Sequence, residues 1–146
     1  MIGPTPAQMN EELRLFHARL AEGARTLQGL GPIETGVLPR DAVYQEDKLT
    51  LFRYQPRVAT PHPVPLLIVY ALVNRPYMMD LQEDRSLIRG LLDAGLDVYL
   101  IDWGYPDAGD RHLTLADYVL RYIDHCVETL RARHAQEAIN LLGVCQ

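Results

Sequence analysis

The chain has 146 residues, 48% hydrophobic and 23% charged, which is the composition of one globular domain with its own core and not of a disordered tail. Its net charge of −5, with no long run of one sign, argues against a general nucleic-acid or anionic-membrane surface. The first sixteen residues lack the basic-then-apolar order of a secretory leader, and the longest apolar run, VPLLIVYALV from Val64, is too short to span a bilayer. Two cysteines without an export signal fit a reducing compartment, so the expected location is cytoplasmic.

Residues 7–29 read as a helix, because Leu13, Phe16, Leu20, Ala24 and Leu27 recur at steps of three or four with polar residues between them. GLGPIETG then breaks the pattern. It contains a G-x-G, but no strand precedes it and no helix opens from it, so it reads as a linker and not a dinucleotide loop. Residues 1–34 are therefore taken as a helical segment with linker, and 35–146 as the main domain.

AVYQ and KLTLFRY, on either side of Glu46-Asp47, are rich in β-formers and suit an antiparallel pair. After the proline-rich RVATPHPVP, the continuously apolar LLIVYAL fits a strand covered on both faces. EDRSLIRGLLDAG is a short helix ending with Gly95 at C′, and DVYLIDW is a second buried strand. TLADYVLRYIDHCVETLRARH is a long helix with Thr114 as N-cap and Asp117 as its capping-box partner. Its expected apolar face is Leu115, Tyr118, Val119, Tyr122, Ile123, Cys126, Val127 and Leu130. AINLLGV is a third strand. Strand, helix, strand, helix, strand predicts an α/β fold with a mostly parallel sheet and right-handed crossovers.

The last residues, INLLGVCQ, put Cys145 beyond the carboxyl end of that third strand, where α/β folds bind ligands. G-x-C followed by one residue is the first half of a nucleophile elbow, whose turn exposes the nucleophile and aims the next N–H at a developing oxyanion. A strand-end cysteine is more often inert packing than a nucleophile, and on this pattern alone both readings stay open. Cys126, between Tyr122 and Leu130 on a helix face, reads as a core thiol. His17 and His125 fall on helices, His62 in the proline-rich connection, His134 at a helix end and His112 in the GDRH loop, the last being a solvated loop histidine. Asp102 closes a buried strand and reads as structural. DAGDRH has metal-like residue types but no convergent ligands elsewhere.

PVPLLIVYALVNRPYMMDLQEDRSLIRGLLDAGLDVYLIDWGYPD, continued by the long helix and INLLGVCQ, resembles the polyhydroxyalkanoate synthases over roughly residues 35–146. VYALVNRPYMMDLQ is the most specific stretch and VYLIDWG supports it. The short upstream region and Gln146 after the cysteine resemble the two-component class III type.

The resemblance implies the N-terminal part of an α/β-hydrolase-fold acyltransferase that polymerises (R)-3-hydroxyacyl-CoA into polyester with release of CoA. It implies Cys145 as covalent nucleophile, with the backbone N–H groups of Val73 and Gln146 forming the oxyanion hole. It implies no cofactor, a homodimer, a second synthase subunit as partner, and association with polyester granules. In this fold the acid and histidine follow the nucleophile, so the chain is expected to be truncated after the nucleophile strand and inactive by itself. The alternatives are another α/β-hydrolase-fold cysteine hydrolase or thioesterase, and a non-catalytic protein that binds a synthase or the granule.

Overall fold

The computed structural model describes residues 5–29, 31 and 35–144. The chain divides into two compact units, Met1–Ile33 and Glu34–Gln146. The described residues of the first include helix α1 (Pro6–Gly29), whose stripe of Leu13, Phe16, Leu20 and Leu27 is exposed. No helix among the described residues is long and apolar enough to cross a membrane.

The second unit begins with an antiparallel pair, β1 (Arg40–Glu46) and β2 (Leu49–Tyr54), joined through Asp47 and Lys48. Asp47 takes the left-handed region at φ 50°, which aspartate tolerates better than most residues. A bulge between Ala42 and Tyr44 interrupts the register. Strand β3 (Leu66–Tyr70) is buried at every position, as its unbroken apolar run predicts. It stops at Tyr70, before the Ala71-Leu72 end of that run.

A 3-10 turn (Pro76–Met79) and a small ribbon, β4 (Asp80–Gln82) with β5 (Arg85–Ser86), precede helix α2 (Leu87–Asp93). The Ser86 side chain caps α2 by accepting from the Arg89 N–H. At the other end Leu96 N–H donates to Leu91 O and Gly95 N–H to Leu92 O, a Schellman closure with Gly95 at φ 85°. Strand β6 (Val98–Asp102) follows.

Thr114 and Asp117 form the expected capping box ahead of α3 (Leu115–Asp117). The helix then widens into π winding over Tyr118–Ile123 and returns to α geometry as α4 (Asp124–His134) before β7 (Asn140–Val144).

The sheet order is β1-β2-β6-β3-β7. The β6–β3 and β3–β7 neighbours are parallel, whereas β2 joins β6 antiparallel, so the parallel part is extended at one side by the hairpin. Alternation along the strands produces two cores. Leu66, Ile68, Val98 and Leu100 meet Ile88 and Leu92 of α2 on one face. Leu67, Val69, Tyr99 and Ile101 meet Tyr122, Cys126 and Leu130 on the other. Each fully buried aliphatic side chain contributes about 1.5–3 kcal/mol relative to exposure.

The long helix does not present the single apolar face its spacing suggests. Tyr122, Cys126 and Leu130 enter the core, but Leu115 and Val119 are 69% and 46% exposed. With Ile123 they form a second stripe along an apolar concavity beside β7.

Two ionic groupings hold the layers together. Asp97, buried just before β6, accepts from Arg53 Nε (2.9 Å) and Nη2 (2.8 Å) of β2, and His134 Nε2 lies 2.7 Å from the Tyr99 hydroxyl. At the hairpin turn, Glu46 receives Arg121 (2.8 Å), His125 (2.8 Å) and the Tyr44 hydroxyl (2.7 Å). Burial would raise the Glu46 carboxyl, but its hydrogen bonds with His125, Tyr44 and Arg121 outweigh that and hold it below its ordinary value.

Burial depresses the His134 imidazole, against the pull of Asp97 and with Arg53 and Arg133 adding to the depression. A depressed histidine contributes stability that is present above its unfolded value, about 6.5, and is lost as pH falls through the lower folded value. His134→Gln should therefore lose less of its urea midpoint between pH 7.5 and 5 than the wild type does. An equal slope in both proteins would remove His134 from the account. Burial also pushes the Cys126 thiol up to about 12. It should resist dithionitrobenzoate in the native state and react only on unfolding, and rapid native labelling at this residue would contradict the core assignment.

Candidate active site at the carboxyl edge of the sheet

The three parallel strands β3, β6 and β7 end on one edge, and the chain leaves it through two loops. Where β3 ends, the Tyr70 carbonyl accepts from the Trp103 indole N–H at 2.8 Å. Trp103 follows β6 directly and packs edge-on against Tyr118 (centroids 5.4 Å apart), which meets Tyr122 in turn. The Tyr122 hydroxyl donates to Asp47 at 2.7 Å, so this aromatic line runs from the end of β3 to the hairpin turn.

Val73 sits in the loop after β3 and is 88% exposed, at the rim of the apolar concavity. That hollow has a volume of about 560 Å³ and is lined by Val69, Leu115, Val119, Ile123 and Leu141 among others. The loop ends at Arg75, whose Nη1 donates to the Gly104 carbonyl (2.9 Å) and whose guanidinium lies 3.3 Å from the centre of the Tyr105 ring. Beyond it the backbone turns inward. Asp80 is fully buried, and its carboxylate accepts from the Leu38 N–H at 2.9 Å.

The loop after β6 is fixed by its own aspartates. Asp102 Oδ1 accepts from Gly104 N–H (3.0 Å), which supports the structural reading of this residue. Gly104 has φ 70°, and a Cβ there would stand 2.6 Å from the Lys48 carbonyl oxygen, so only glycine fits. Lys48 in turn pairs with Asp107 (2.7 Å) and Asp110. Hydrogen bonds from Lys48 lower both carboxylates and raise the lysine. The acidic residues of DAGDRH thus answer a lysine from the hairpin, a pairing 62 residues apart in sequence for Asp110.

His112 is exposed and its Nε2 accepts from Arg111 Nε at 3.1 Å. His17 and His62 are exposed, His125 binds Glu46, and His134 lies with Tyr99 and Asp97 at the amino end of β6, away from this edge. Strand β7 runs into the same edge, where its last described residue, Val144, stands opposite Tyr70. Cys145 and Gln146 lie outside the described residues. The structure therefore brings the Val73 loop and the end of β7 to one edge. The anchoring roles of Arg75, Tyr105 and Lys48 have no signature in hydrophobic periodicity or motif spacing, because each rests on a partner distant in sequence.

The family profile described as the N-terminus of poly-beta-hydroxybutyrate polymerase (PhaC) matches residues 34–91, and that of the alpha/beta hydrolase fold matches residues 64–146. The chain is 56% identical over 143 residues to the poly(3-hydroxyalkanoate) polymerase subunit PhaC of Allochromatium vinosum, covering 97% of this chain and 40% of that relative. It is 59% identical over 133 residues to the subunit of the same name from Synechocystis, covering 90% of this chain and 35% of that one. The Cupriavidus necator subunit PhaC is 34% identical over 103 residues, 70% of this chain and 18% of the relative. The chain spans about two fifths of the length of the Allochromatium relative. With the two profiles running from residue 34 to 146 over an α/β sheet of the matching kind, the chain belongs to the α/β-hydrolase fold and, within it, to the poly(3-hydroxyalkanoate) polymerase PhaC family.

Proposed function

We propose that this chain supplies the nucleophile and the oxyanion donors of a polymerase that joins (R)-3-hydroxyacyl units, typically 3-hydroxybutyryl, from CoA thioesters into polyester. The observation that carries the reading is the convergence of the Val73 loop and the end of β7 on one sheet edge, with Val144 opposite Tyr70. The Cys145 sulfur attacks the thioester carbonyl carbon, a new C–S bond forms, and the bond to the CoA sulfur breaks. CoA leaves as the thiol, taking the proton that Cys145 gives up. Exchange of one thioester for another keeps the acyl group activated. The hydroxyl oxygen of a second acyl unit then attacks that carbonyl carbon, an ester C–O bond forms, the C–S bond to Cys145 breaks, and the proton of that hydroxyl returns to the Cys145 sulfur.

The oxyanion of each addition step is met by the backbone N–H groups of Val73 and Gln146, a hydrophobic side chain at Val73 being no obstacle to a backbone donor. The base and its acid partner belong to sequence that follows the nucleophile in this fold, so the 146 residues alone are expected to be inactive. A class III pairing with a second subunit, homodimerisation, and a cytoplasmic place at the granule surface complete the proposal. They rest on the likeness to polymerases named as subunits.

The test uses the protein expressed at the full length of its relatives. With 3-hydroxybutyryl-CoA, the wild type should release CoA and form insoluble polyester, and Cys145→Ala should lose at least about a thousandfold in rate. Free hydroxy acid in place of polymer would favour a thioesterase. Undiminished CoA release by Cys145→Ala would remove the covalent mechanism.

A further inference from the structure

The loop between Tyr70 and Arg75 has to present an N–H at one point in space, yet Val73 itself is 88% exposed and makes no anchor through its side chain. What holds the loop lies at its two ends. At the near end the Trp103 indole grips the Tyr70 carbonyl; at the far end Arg75 reaches Gly104 and Tyr105. Four residues span the interval, Ala71 to Asn74, too few to wander when both ends are fixed. Both grips come from one short stretch, Trp103-Gly104-Tyr105, so the loop is suspended from the end of β6.

That stretch is itself immobilised, since Gly104 abuts the Lys48 carbonyl and donates its N–H to Asp102. The far grip uses two properties that only arginine combines, a planar face laid on an aromatic ring and an N–H directed in that plane at a carbonyl. Tyr105 is 71% exposed, and the Arg75 guanidinium on its ring gives that exposed aromatic a purpose.

We propose that Arg75, seated on Tyr105 and bonded to the Gly104 carbonyl, is a positioning residue that aims the Val73 N–H into the oxyanion hole. The inference rests on the polymerase reading above and assigns Arg75 no contact with the substrate. Displacement of a catalytic donor by about 1 Å costs on the order of a hundredfold in rate, so a loosened loop should be visible in kcat.

The experiment compares two reactions of the same sulfur in the full-length enzyme. Acylation by 3-hydroxybutyryl-CoA builds an oxyanion and needs the Val73 N–H. Alkylation by iodoacetamide forms a C–S bond as iodide leaves and builds none. Arg75→Ala and Arg75→Lys should lower kcat about 10- to 100-fold with little change in KM. Their iodoacetamide rates at Cys145, followed by mass spectrometry of its peptide, should stay within about twofold of wild type. Tyr105→Ala should show a smaller loss of the same kind, and Tyr105→Phe none, because the ring and not the hydroxyl carries the contact.

Wild-type kcat in Arg75→Ala would overturn the proposal. So would an equal fall of acylation and alkylation in both Arg75→Lys and Tyr105→Ala, which marks general disruption of the edge. Failure of the polymerase reading looks different: Cys145→Ala would then release CoA as fast as wild type.

Discussion

The carbonyl of Tyr70 stands where β3 gives way to the loop that carries Val73, and a polar backbone group at such an exit needs a partner to offset the cost of leaving water. The Trp103 indole provides one at 2.8 Å from the end of the adjoining strand. Because the donor is a large aromatic, the same side chain that satisfies the carbonyl also packs against Tyr118 and passes the constraint into the long helix. Tyr122 then transmits it to Asp47 at the hairpin turn. Remove the indole and a strand end, a helix and a hairpin lose their common reference.

The two ends of β6 divide the labour of the domain. At its amino end Asp97 is buried and clasped by Arg53, with His134 and Tyr99 beside it, which is a device for stability. At its carboxyl end Asp102 is partly buried and serves a single backbone N–H in a turn. Identical side chains thus perform different work according to whether a cation or an amide faces them. A pH change felt through His134 enters at the amino end, so stability and loop geometry respond to different groups.

Much of the fold was legible in the sequence because its signals are local. The unbroken apolar run of β3, Gly95 at C′ and the Thr114–Asp117 box each depend on residues within a turn or a strand of one another. The division of the helix's apolar residues was not legible. Spacing shows which residues are apolar, but not that π winding over Tyr118–Ile123 accompanies two stripes, one entering the core and one bordering a hollow. The edge was legible only in part. Val73 could be located by resemblance, whereas Arg75–Gly104 and Tyr70–Trp103 join residues 29 and 33 positions apart and announce themselves only once the strands are side by side.

Surface hairpin tips are ordinarily where a chain tolerates length variation best. The tip at Asp47–Lys48 is an exception, because the Lys48 carbonyl fills the space that a side chain at position 104 would need. Hairpin and loop therefore form a lock with no clearance, and neither can be lengthened or exchanged without refitting the other. For anyone building chimaeras from this family, the two segments are one cassette, to be transplanted together although 56 positions of sequence separate Lys48 from Gly104.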